Sequence, residues 1–80
     1  MLVKYTRDKN GHRNGVVVAV DHGVVGWSKC NKKDKFNKEL GLRIAEGRAM
    51  VGSTVGPPRE IAADLEHMRK RSQKYYGIQL

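Results

Sequence analysis

Val16-Val17-Val18-Ala19-Val20-Asp21-His22-Gly23-Val24-Val25-Gly26-Trp27-Ser28 is the stretch that decides the fold. Four β-branched residues in five over 16–20 specify a strand, and the absence of polar alternation implies that both of its faces are covered. Asp21-His22-Gly23 has the form of a tight hairpin loop with Gly23 available for a positive φ, and Val24 to Ser28 is the antiparallel return strand. Upstream, Leu2 to Thr6 is a further short strand, followed by a loop from Arg7 to Gly15 with two turn signals, Asn10-Gly11 and Asn14-Gly15. Residues 1–30 are expected to form a three-stranded antiparallel meander.

Downstream of Ser28 the pattern turns helical. Asn31 with Asp34 three residues on resembles a capping box with Asp in place of Glu, and a helix over about 33–50 places Phe36, Leu40, Ile44 and Val51 on one side, expected to face the sheet. Gly41, Ala45 and Ala49 form a second row of small residues, which lets another backbone or a ligand come close. Gly41 and Gly47 each cost roughly 1 kcal/mol against Ala inside a helix, which calls for an offsetting packing or binding role. Residues 52–57 form a connector. A second helix over about 58–76 opens on Pro58 and carries Ile61, Leu65, Met68, Ser72 and Tyr75 at amphipathic spacing up to Gly77. The expected architecture is α+β, one domain over 1–80 with a small three-stranded antiparallel sheet followed by two long helices.

Eighty residues exclude a two-domain enzyme, and a chain of this size buries only about 60% of its unfolded surface, so a homo-oligomer is expected to supplement the core. The longest apolar run, Val16 to Val20, is strand-sized and far short of a membrane span. The first residues lack the apolar stretch of a secretory signal and the single Cys30 has no disulfide partner within the chain, which together imply a cytoplasmic location. Sixteen Lys and Arg against eight Asp and Glu, net charge +8, point to an anionic partner without saying which.

The densest charge, Lys29, Lys32, Lys33, Lys35 and Lys38, brackets the expected start of the first helix, where the helix dipole is already positive. That placement suits an anion site; the alternative is a solvated charged face, partly offset by Asp34 and Glu39. Arg43 and Arg48 flank the small-residue row, and a guanidinium fork fits a phosphate, although Arg43 is also spaced to pair with Glu39. Arg69, Lys70, Arg71 and Lys74 complement the C-terminal dipole of the second helix without any ligand, beside Tyr75 and Tyr76, of which one is expected to close the core stripe unless they stack on bases. Residues 52–56 resemble a phosphate loop in composition alone and lack the Gly-Lys-Ser/Thr ending. Cys30 and His22 have no nucleophile–base spacing, and His12, His22 and His67 are scattered, so neither catalysis, a metal nor a cofactor is expected.

Ser28 to Lys38, continuing from Gly41 to Ala49, follows the pattern S-x-C-x-x-K-D-x-F-N-K-x-x-G-x-x-I-A-x-G-R-A, which resembles a box in small accessory proteins of tailed bacteriophages; Arg71 to Tyr76 resembles their ending. A small antiparallel sheet followed by two helices is similar, at the level of fold, to anti-Thoeris sponge proteins, which form oligomers and sequester a cyclic ADP-ribose-type immune signal. The resemblance implies a non-catalytic phage protein that antagonises host defence by binding a phosphate-bearing, cyclic nucleotide in the infected bacterial cytoplasm. Lys32, Lys35, Arg43 and Arg48 would then hold the phosphates and Phe36 or Trp27 would stack on a base. Two other readings of the same charge are a nucleic-acid-binding module, which needs a continuous stripe including Arg69 to Lys74, and an inhibitor that docks on an acidic host protein.

Overall fold

A computed structural model of the chain describes residues 1–30, 35–52 and 56–77. Strand β2 (Arg13–Asp21) lies at its centre, hydrogen-bonded on one side to β1 (Leu2–Arg7) and on the other to β3 (Val24–Lys29), both antiparallel. Helix α1 (Lys38–Val51) covers one face of this sheet and α2 (Arg59–Tyr75) the other. The α+β architecture expected from the sequence is the one observed. Val16, Val17, Val18 and Ala19 are fully buried, because successive side chains of β2 point alternately into the two helix layers. Val17 and Ala19 pack with Leu2, Leu65 and Met68 on the α2 side; Val16 and Val18 pack with Ala45 and Ala49 on the α1 side.

The hairpin joining β2 and β3 turns at Gly23, whose φ of 67° only glycine adopts without strain. Ser72 in α2 ties this turn down: it accepts from the Gly23 N–H at 3.0 Å and donates to the Arg69 carbonyl at 2.6 Å. Asn14-Gly15 is not a turn. Both residues belong to β2, where Gly15 pairs with Thr6 and Lys29, and a Cβ on Gly15 would come within 2.8 Å of Thr6 Oγ1. The glycine serves close strand approach there, which a local turn signal does not distinguish.

α2 follows the sequence pattern closely. Ile61, Leu65, Met68 and Ser72 are buried; the stripe ends on Tyr76, which packs against the Leu2–Met68 cluster and donates to the Ala19 carbonyl at 3.3 Å, and not on Tyr75, which is 66% exposed.

α1 departs from the pattern in two ways. It starts at Lys38, later than the expected residue 33, with Asn37 as its cap, the side chain accepting from the Leu40 N–H at 3.0 Å. The Asn31–Asp34 box lies outside the described residues. The helix is also turned the other way round: Leu40 (50%), Ile44 (39%) and Val51 (78%) face solvent, while Gly41, Ala45 and Ala49 face the sheet. Of the expected stripe only Phe36, which precedes the helix and is half-buried, turns inward.

The reason is Gly26 on β3. A Cβ there would overlap the Ala45 carbonyl oxygen and come within 2.7 Å of the Ala49 N–H nitrogen, so α1 lies directly against strand backbone. Only Gly and Ala fit at that separation, and the small-residue row serves backbone approach and not a ligand. Gly52, with φ 63°, ends the helix in the left-handed region and donates to the Ala49 carbonyl at 3.3 Å.

Candidate anion-binding end of the sheet

Both helices present their N-termini at the same end of the sheet. Ser28, near the end of β3, donates through its hydroxyl to the Gly41 carbonyl in the first turns of α1 at 2.9 Å, and the next residue, Lys29, pairs with Glu60 in the first turn of α2 at 3.4 Å. The positive ends of two helix dipoles therefore point towards one end of the molecule. Arg7, Arg13, Lys29, Lys35, Lys38 and Arg59 occupy that end by their positions in the chain, against Asp8, Glu39 and Glu60.

The aromatic anchor of this end is Tyr5, half-buried on β1 on the α1 side. The Arg13 guanidinium carbon stands 4.7 Å from its ring centroid and Lys38 Nζ 5.9 Å. Phe36 meets the same ring edge to face, centroids 5.9 Å apart and planes at 83°. Among the described residues neither Arg13 nor Lys38 has a carboxylate within ion-pair distance. Two cations sharing one ring gain from its quadrupole but repel each other, and a bound anion relieves that repulsion. Residues 35–39 line a shallow, open concavity beside the cluster.

The residues singled out from the sequence are distributed along α1. Lys35 is exposed at this end, next to Phe36. Lys32 lies outside the described residues. Arg43 is exposed on the outer side of α1 and forms no ion pair with Glu39. Arg48 sits some 15 Å along the helix from Lys38, at 1.5 Å rise per residue. Its guanidinium lies 4.0 Å from the Trp27 ring centroid and donates to the Trp27 carbonyl at 2.9 Å. Trp27 itself packs among the α2-side core, so Arg48 reaches around the free edge of β3. The structure thus brings Arg48 and Trp27 together and brings Lys35 and Phe36 together, but places the two pairs at opposite ends of α1.

Tyr5, Arg13 and Lys38 were not legible as a group. They come from β1, β2 and α1, and only the strand register, Tyr5 opposite Val16 and Arg7 opposite Arg13, assembles them. The one available signal was a tyrosine in a strand otherwise free of aromatics. A separate basic face lies on α2, where Lys70, Arg71 and Lys74 are exposed beside Tyr75, and Arg69 pairs with Glu66 at 3.6 Å. No described helix is long and apolar enough to cross a membrane, and His, Cys, Asp and Glu nowhere gather in threes among the described residues. Comparison with protein-family models, with curated proteins and with solved structures returns no match for this chain.

Proposed function

We propose that the protein is a non-catalytic binder of a phosphate-bearing nucleotide, with the ligand held at the end of the sheet where Tyr5, Arg13, Phe36 and Lys38 meet. The observation that carries the reading is the pair of cations on Tyr5 with no carboxylate partner among the described residues, at the end to which both helix N-termini point. Arg13 presents a planar fork suited to a phosphate edge, Lys38 and Lys35 add point charge, and the Tyr5–Phe36 pair offers an aromatic surface to a base. With the resemblance of residues 28–49 to phage accessory proteins, the ligand is a cyclic nucleotide signal of host defence, and binding removes it from its receptor. Lys32 stays within this proposal through its proximity in sequence to Lys35. Arg48, stacked on Trp27 at the β3 edge, and Arg43, on the outer side of α1, stand apart from this cluster.

A nucleic-acid-binding reading has one specific observation in its favour, the exposed Lys70, Arg71, Lys74 and Tyr75 on α2. Salt separates the two. Calorimetry with cyclic dinucleotides and cyclic ADP-ribose isomers is expected to give saturable heat with shallow salt dependence, weakened at least about tenfold in an Arg13→Gln/Lys38→Gln variant. Tight oligonucleotide binding that falls about 10³-fold between 50 and 200 mM salt, with no heat from the small nucleotides, replaces the first reading with the second. Binding of neither class leaves docking on an acidic protein.

A further inference from the structure

Backbone hydrogen bonds in an antiparallel sheet alternate in direction along each strand, and the Cys30 N–H, which donates to the Asn14 carbonyl at 2.7 Å, fixes the phase here. Asn14, Val16 and Val18 turn their backbone groups towards β3, so Gly15, Val17 and Ala19 turn theirs towards β1 and bond Thr6, Lys4 and Leu2. The N–H and C=O groups of Val3 and Tyr5 therefore point outward from the β1 edge, and among the described residues nothing bonds them. The opposite edge is different: the outward Trp27 carbonyl of β3 accepts from Arg48 at 2.9 Å. Arg7 ends the open edge opposite Arg13, and among the described residues neither has a carboxylate within ion-pair distance. The acids beside them are engaged, Asp64 with Lys4 at 2.8 Å and Asp8 with the N–H groups of Asn10 and His12 at 2.9 and 3.0 Å.

We propose that the β1 edge takes up an extended, acidic segment of another protein as a fourth strand of the sheet. Main-chain bonds to Val3 and Tyr5 supply affinity, and the side chains that come to lie beside Lys4 and Arg7 supply selectivity. The added strand uses the backbone of Tyr5 and not its ring, so its docking does not depend on nucleotide binding. Charge complementarity selects the occupant. With Val3 and Tyr5 as the outward residues, a second copy overlaps this edge most fully when its Val3 faces Tyr5, which sets Lys4 directly against Lys4; centring the pair on Tyr5 instead gathers two sets of Arg13 and Lys38. Like charges directly opposite one another destabilise a strand pair, so this edge resists self-pairing, whereas Glu or Asp in an incoming strand meets the Arg7 end at cross-strand distance.

Fluorescence anisotropy of a capped, labelled peptide alternating Glu and Val tests this with the full chain. Saturable binding is expected, weakened at least about tenfold for the fully N-methylated peptide, which keeps the charge but cannot donate, and for the peptide with Lys in place of Glu. Amide exchange at Val3 and Tyr5 is expected to slow at least about tenfold on saturation, with Lys4 and Thr6, already bonded to β2, changing less. Val3→Pro removes an outward N–H and no ladder bond, and is expected to weaken binding at least about tenfold with circular dichroism unchanged. If that variant does not fold, the N-methylated peptide carries the same test from the other side. Absence of binding by the Glu–Val peptide, equal binding of the N-methylated or Lys-bearing peptide, or unmoved exchange at Val3 and Tyr5 overturns the proposal. A dimer in sedimentation equilibrium whose Val3 and Tyr5 amides are slow without peptide also overturns it, placing a second copy on the edge.

Discussion

α1 and α2 cover opposite faces of one sheet by opposite means. α2 buries long side chains, Ile61, Leu65 and Met68, against Val17, Ala19 and Leu2, and each such side chain contributes about 1.5–3 kcal/mol on leaving water. α1 puts almost no side chain between itself and the sheet: Gly26 of β3 meets Ala45 and Ala49, and the short separation brings backbone and Cβ atoms into contact. The stripe that is large and apolar is core on α2 and solvent-facing on α1. Amphipathic periodicity reports that a helix has two faces; which of them docks depends on the thickness of the layer it meets.

The comparison breaks first at Gly26. Gly26→Val forces α1 off the sheet, because the clashing atoms are helix backbone and not the end of a flexible side chain; the expected loss is roughly 4 kcal/mol or more in a urea unfolding curve, and a loss below about 1 kcal/mol removes the close-approach account. On the other face, Met68→Ala leaves a cavity in a conventional core and is expected to cost about 3 kcal/mol by the same measurement. Asn37→Ala sharpens the assignment of the α1 start: loss of the bond from the Leu40 N–H is expected to cost about 1 kcal/mol, whereas a helix beginning near residue 33 would barely respond. The smallest effect has the opposite sign. Gly47→Ala meets nothing within 4 Å and is expected to raise the stability of the subunit by about 0.5–1 kcal/mol, so that two glycines on two elements move in opposite directions under one added methyl or isopropyl group.

The candidate site divides along similar lines. Phe36 and Lys35 were visible in the sequence as an aromatic among lysines ahead of a helix, and they lie at the electropositive end. Their neighbours Tyr5 and Arg13 were not, since strand pairing across the Arg7–Arg13 hairpin is what carries them there. Arg48 and Trp27 are expected from the sequence as separate phosphate and base contacts, but their mutual stacking is a contact between distant positions on α1 and β3.

By itself the sequence determined the α+β class, the three strands, the Gly23 turn and the buried face of α2, because each of these depends on local preference or on a period read within one element. Only the tertiary structure decided where α1 begins, which of its faces meets the sheet, that Asn14-Gly15 lies in a strand, and which cations gather on Tyr5. The docked face of α1 and the place of Asn14-Gly15 depend on the distance between elements far apart in the chain, set at Gly26 and Gly15 by the absence of a side chain, which leaves no periodic trace in the sequence; the Tyr5 cluster depends on strand register.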